Sequence, residues 1–219
     1  MADLRLSVRR QVPAAVGADG TFVVPGGNAM GFQVVQDFYT WAMLQGAGFQ
    51  VRAGTITTPL VGDVVITDTA AEYCVDVPNG YTILPVYNNI SIRLGTGTVH
   101  EYAIKSVATA STVGTAFVPL PLILGGSAST STARVSAAGG VTVTAELATT
   151  TRRHWSFSNP VAAGAGHEPV DHNWEPLRPP PIKGGTAGTC LYVQIAAGTT
   201  GPSYYASLDF LEFQTANLI

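Results

Sequence analysis

Two histidines and two acidic residues crowd into His167-Glu168-Pro169-Val170-Asp171-His172, the densest set of metal-binding and proton-transferring side chains in the sequence. A zinc-protease helix sets two histidines four apart with Glu beside the first, so that both imidazoles share one helix face. Here the histidines are five apart, and Pro169 forbids a regular helix interior. A loop can still converge imidazoles and carboxylates on a metal. A metal-dependent enzyme built on His167 and His172 is therefore the catalytic alternative. The plainer reading is a polar loop bonded to backbone or to a neighbour.

The remaining motifs are weaker. Gly125-Gly126-Ser127-Ala128-Ser129 lacks the closing glycine of a nucleophile elbow. Gly184-Gly185-Thr186-Ala187-Gly188-Thr189 has the glycines of a phosphate loop without the Lys-Ser/Thr that would hold phosphate and Mg²⁺. Gly95-Thr96-Gly97 reads as a turn. His100-Glu101 and Arg153-His154-Trp155 sit in strand-like runs, as partly exposed sheet positions. Asn89-Ile90-Ser91 fits a glycosylation sequon, but no signal-peptide pattern precedes it. Cys74 and Cys190 lie in apolar strand-like runs and read as free buried thiols; a bridge would require Cα atoms within about 7 Å. Tyr81, Tyr87, Tyr102, Tyr192, Tyr204 and Tyr205, with Trp155 and Trp174, offer aromatic faces for a lectin-like platform, although in a β protein most large aromatics go to core or subunit contacts. No catalytic, cofactor-binding or metal-binding residue is assigned, and a non-enzymatic role is expected.

Composition points the same way. Only 11% of the 219 residues are charged, against about 25% in ordinary soluble domains. Thr, Ser, Gly and Ala take the vacant places. Interface cores are depleted in charge, so the shortage suits a surface covered by neighbouring subunits. The net charge is −3, and no basic run exceeds Arg9-Arg10 or Arg152-Arg153. Nucleic acid, whose phosphates demand clustered cations, is not an expected partner. The longest apolar stretch, Ala116 to Leu124, is broken by Pro119 and Pro121 and is far short of the roughly 20 residues that span a bilayer. No membrane association is expected.

These residues must be positioned by strands. Residues 1–20, with Pro13, Gly17 and Gly20, read as an extended arm, and 21–219 as a single β-sandwich domain. From Gly31 to Gly46, Gln33, Gln36, Asp37 and Thr40 recur at helical spacing opposite Val34, Val35, Phe38, Trp41 and Ala42, which predicts one short helix. β texture follows: Phe49–Thr58, Asp63–Thr67, Glu72–Val77, a Pro78-Asn79-Gly80 turn, Tyr81–Leu94 interrupted at Pro85 and Asn88-Asn89, Thr98–Val107 and Ala116–Leu124. Val141-Thr-Val-Thr-Ala-Glu-Leu147 alternates most cleanly, and Cys190–Ala197 and Ser203–Phe213 close the chain. About ten strands at this spacing predict an all-β sandwich of jelly-roll type.

Residues 158–188 break the rhythm with six of the fourteen prolines, and predict a long Pro-rich loop containing a stiff Pro179-Pro180-Pro181 segment. With no alternating pattern, this strap and the arm are expected to bury little against their own domain. Val12, Trp174, Leu177 and Ile182 then become the expected contacts with neighbouring subunits, because large apolar anchors dominate interfaces.

The unsignalled arm, the Gly/Thr/Ala-rich strands of ITTPLVGDVVITDT and PNGYTILPVYNNISI, and the terminal GPSYYASLDFLEF together resemble the virion proteins of tailed bacteriophages. Jelly-roll capsid decoration (cement) proteins are the nearest in style. The resemblance runs from about Gly48 onward and carries over no functional residue. It implies a structural subunit without cofactor, a homo-oligomer with a trimer favoured. Its partners would be the major capsid protein or other virion subunits, in the host cytoplasm during assembly and afterwards in the virion. The alternatives are another virion part (a major capsid jelly roll, a tail or spike subunit) and the lectin-like adhesion module.

Overall fold

The computed structural model describes residues 38–55, 57–94, 99–136, 140–144, 151–158, 170–198 and 201–218. A helix, α1 (Phe38–Leu44), precedes β1 (Gly48–Ala53), β2 (Leu60–Val61), β3 (Ala70–Ala71), β4 (Tyr73–Val77) and β5 (Tyr81–Leu94). There follow β6 (Val99–Val107), β7 (Thr115–Phe117), β8 (Leu120–Pro121), β9 (Thr132–Val135) and β10 (Val141–Thr142). The last elements are β11 (Thr151–Ser158), β12 (Val170–Trp174), β13 (Ile182–Lys183), β14 (Thr189–Ala197), β15 (Ser203–Gln214) and a closing 3₁₀ turn, Thr215–Asn217.

The fold is an all-β sandwich. One sheet runs β12-β5-β15-β1-β8, with β13 joined to β5 and β2 to β15; the other runs β11-β6-β14-β4-β9-β7. Phe49, Ile90, Tyr204 and Phe210 from the first sheet meet Val75, Ile104 and Leu191 from the second in one buried core. A two-stranded ribbon, β3 with β10, lies over the outer face of the second sheet. Several strands are two-residue pairings, too short for any periodic pattern, so the described residues hold more than the ten expected.

The long pair β5–β15 is the spine. In β15, Tyr204, Ala206, Leu208 and Phe210 are buried while the residues between them are partly exposed, the alternation of a strand with one face on the core. β5 runs unbroken through Pro85 and Asn88-Asn89, where the sequence suggested interruptions. Two features allow it. A register shift at Val86 moves the buried phase from Ile83 and Pro85 to Asn88, Ile90 and Ile92. On the other flank β13 pairs with Thr82 and Ile83, and β12 with Asn88 through Ile92. Pro85 falls in the gap, so its missing N–H breaks no ladder bond on that side. The expected turn at Pro78-Asn79-Gly80 forms, with Tyr81 N donating to Pro78 O at 3.2 Å and Gly80 at φ 85°.

Other expectations need correction. Helix α1 begins at Phe38, with 31–37 outside the described residues, and buries Ala42 while Phe38 remains half exposed. It caps the outer face at the end of β15, with Phe38 and Phe213 ring centroids 5.9 Å apart. The apparent strand Ala116–Leu124 divides between the two sheets, β7 in one and β8 in the other, with Pro119 at the crossing. The Asp63–Thr67 run forms only a single bridge, Asp63 to Ala196. The run from Val141 pairs only through Val141 and Thr142; Val143 is buried and Thr144 exposed as alternation requires, and 145–150 lie outside the described residues.

The largest correction falls on 158–188. It is not one loop: Val170–Trp174 and Ile182–Lys183 hydrogen-bond to β5 as strands, while 159–169 lie outside the described residues. Trp174 is 6% exposed and Ile182 2%, both in the chain's own core. They are therefore not left bare for a neighbour, as expected above. Strands of five and two residues between prolines show no periodicity, yet β5 supplies their ladder bonds and the core supplies their burial. Leu177, between them, is 94% exposed. Val12 and the 1–20 arm lie outside the described residues.

Candidate functional site

Residues 60–67 carry the chain from one sheet to the other. Leu60 and Val61 pair with β15, Gly62 N donates to Pro202 O at 2.9 Å, and Asp63 exchanges bonds with Ile195 and Ala197 of β14. Gln194 anchors the far end through its side-chain amide on Thr67 O and Ala70 O. Leu60 packs against the core, whereas two valines beyond Asp63 stand on the surface. Val64 is 54% exposed and Val65 61%. Val64 also lines, with Val99, Glu101, Ala196, Ala197 and Gly198, an open hollow of about 220 Å³. Val99 is itself 44% exposed. Small-molecule sites run to roughly 300–1,000 Å³, and this hollow is smaller.

A second apolar region lies where the chain changes sheets at Pro119. Among the described residues β7 and β8 each stand at one end of a sheet, and Val113, Val118, Leu120 and Leu124 nearby are all exposed. Terminal strands offer unpaired N–H and C=O groups that template pairing with another chain.

The His167–His172 cluster, weighed above only as the catalytic alternative, is described in part. His167 and Glu168 lie outside the described residues. Asp171 is exposed on β12, and His172 is half buried against Tyr102, ring centroids 4.5 Å apart. Burial, then the nearby His100, hold the His172 imidazole below its ordinary range, with Asp171 opposing. His100 is buried, not partly exposed as its sequence position suggested, and its Nδ1 lies 3.3 Å from the Tyr102 hydroxyl. The aromatic platform also disperses: Tyr102, Tyr192, Tyr204 and Trp174 are buried.

No family model, curated protein or solved structure matches the chain.

Two polar clusters that no sequence motif marked are assembled by strand register. The first is acidic. Glu72, between β3 and β4, is 2% exposed, and its Oε1 accepts from Asp63 N at 3.2 Å. Burial, reinforced by the Asp63 carboxylate, pushes its pKa up to about 8. The neutral form of Glu72 is therefore favoured. Nearby, the Tyr73 hydroxyl crosses between the sheets and donates to Asn88 Oδ1 at 2.6 Å.

The second cluster is sulfur-rich. Cys74 and Cys190 are both free and buried, in agreement with the free-thiol reading. Register sets Cys190 opposite Asp76, and Cys74 between Tyr192 on one side and Arg134 on the other. All of them project from the outer face of the second sheet. Ser111 descends from the loop above, donating from N and Oγ to the two Asp76 oxygens at 2.7 and 2.6 Å. The Ser111 hydroxyl proton is thus committed, so across the 3.1 Å Cys74 Sγ–Ser111 Oγ contact the thiol donates. Burial pushes the Cys190 thiol up, and its contacts to Cys74 and Asp76 favour the same protonated form. A sequence signal existed only for Cys74 and Asp76, two apart on one strand; Cys190 is brought in by β14.

Proposed function

We propose that this protein is a non-enzymatic structural subunit of a symmetric assembly, a virion component of which a phage capsid decoration protein is the preferred form. The observation that carries the reading is the cluster of half-exposed valines on the bridge between the sheets, beside a small open hollow. Completing the burial of each such valine stabilises by about 1 kcal/mol at roughly 25 cal/mol per Å². The low charge of the chain and the apolar terminal strands β7 and β8 favour the same reading. The successive crossings β4 to β5, β5 to β6 and β14 to β15, each leaving one sheet for the other, suit a jelly-roll path. With Trp174 and Ile182 in the core, the contacts fall to the bridge valines, to Leu177 and to the region around Leu120.

The test is Val64→Asp. The aspartate stays solvated in the subunit but lies uncompensated in an interface, so the fold persists while association fails. Light scattering of the parent protein is expected to give a homo-oligomer, with a trimer favoured, or a monomer that sediments with capsid shells. Val64→Asp is expected to abolish either behaviour with unchanged circular dichroism. A parent protein that stays monomeric and binds no shell refutes the proposal, and capture of such a monomer on immobilised glycans would support the lectin reading instead.

A further inference from the structure

The structure assigns a second, separate capability: we infer that Cys74, Cys190 and Asp76 form a zinc-binding site on the outer face of the second sheet, with the Ser111 hydroxyl available as a fourth ligand. The two sulfurs and a carboxylate oxygen all lie within 4.8 Å of one another. Tetrahedral zinc with Zn–S bonds of about 2.3 Å holds its ligand atoms roughly 3.7 Å apart, so a side-chain adjustment of about an ångström closes the set. Thiolates with a carboxylate suit zinc by ligand type, whereas magnesium and calcium take oxygen ligands.

Burial alone makes a weak case, since free cysteines commonly pack as small hydrophobes. The cluster departs from that pattern in three ways. Its carboxylate is nearly buried beside both thiols. The thiols lie in polar contact, Cys74 through Ser111 to Asp76 and Cys190 beside Cys74 and Asp76. Arg134 also supplies one positive charge at the rim, its Nε 3.5 Å from Asp76 Oδ2. Binding proceeds as Zn²⁺ plus two thiols giving a zinc dithiolate and two protons released to solvent. With Asp76 ionised, the three ligands carry three negative charges. Zinc offsets two and Arg134 the third. A dry site can therefore hold the ion without a stranded charge.

The surroundings suit an ion sealed from water. Residues 111–112 and 140–143 lie over the cluster, tied to each other by reciprocal Thr112–Thr142 backbone bonds at 2.8 Å and to β3 through Val141. Val141, Val143, Ala71, Tyr192 and Val107 form the apolar wall. Asp76 and Arg134, the less buried members, mark the entry side.

The experiment is a zinc titration of the full chain, reduced and freed of metal by chelator, with native mass spectrometry and cobalt(II) substitution as readouts. Expected are one zinc per chain, two protons released per ion at neutral pH, and a tetrahedral cobalt spectrum with thiolate charge-transfer bands. Cys74→Ser and Cys190→Ser are each expected to weaken binding more than about a hundredfold, since changes to groups that merely support a ligand already cost 10–100-fold. Asp76→Asn should weaken it less. Circular dichroism of the variants without metal checks that each folds. No zinc bound by the reduced parent, zinc bound equally by the folded Cys190→Ser chain, or cobalt bands without thiolate character would each overturn the assignment. So would recovery of the purified chain with Cys74 and Cys190 joined in a disulfide that reforms in preference to zinc.

Discussion

Glu72→Gln is expected to gain stability relative to its parent as pH rises from 5 toward about 8, and to level off beyond. In the folded chain the Glu72 carboxyl is protonated until about pH 8, while unfolded it ionises near 4.5. Between those values the unfolded state binds fewer protons than the native state, so stability is lost as pH rises. The contribution is full below pH 4.5 and gone above pH 8. Each pH unit in the window costs about 1.4 kcal/mol. Across the whole window that is roughly 5 kcal/mol, comparable to a large part of the 5–15 kcal/mol that holds a typical domain. Glutamine keeps the acceptor that meets Asp63 N and cannot ionise. Urea denaturation of both proteins at pH 5, 6, 7 and 8 gives the difference directly. The variant is expected to gain on its parent by about 1 kcal/mol per pH unit toward alkaline pH, whatever constant offset the amide introduces at pH 5. A difference that stays flat from pH 5 to 8, or shrinks, refutes the picture of a buried neutral acid.

Trp174→Ala is expected to cost about 3–5 kcal/mol in chemical denaturation, as for other large aromatics removed from cores. Leu177→Ala should stay within about 0.5 kcal/mol, as for surface sites; equal effects would contradict their opposite burial. Tyr73→Phe removes the bond between the sheets and leaves Asn88 Oδ1 unpaired in the core, so a loss of about 1–3 kcal/mol is expected from the melting transition. An unchanged transition would mean that the bond is not made.

Much of the architecture was legible because its signals are local. Period-two burial in β15, the Pro78-Asn79-Gly80 turn and the dense Val/Ile/Thr runs need only neighbouring residues, and they specify an all-β chain. The apolar surroundings of Cys74 and Cys190 likewise favoured free thiols. What failed were inferences that required knowing who lies alongside. β12 and β13 look like loop in sequence because a short edge segment borrows its regularity from β5. Trp174 and Ile182 looked available to a partner for the same reason. Pro85 looked like a strand break until the flanking strands were seen to leave a gap at its side. The run from Val141 looked like a cleanly alternating strand, and among the described residues it pairs with β3 at Val141 and Thr142.

The functional features divide along the same line. Composition by itself determined that the surface is poor in charge, a sum over residues that needs no fold. Only the tertiary structure decided where the exposed apolar groups collect, because the bridge valines acquire their hollow from β6 and β14. Only register decided that Cys190 faces Asp76, and only the path of the bridge brings exposed Asp63 to buried Glu72. A strand states which of its residues share a face, but not which strand it will pair with. That choice is made by long-range packing of both sheets at once, and the chemistry of the buried clusters follows from it.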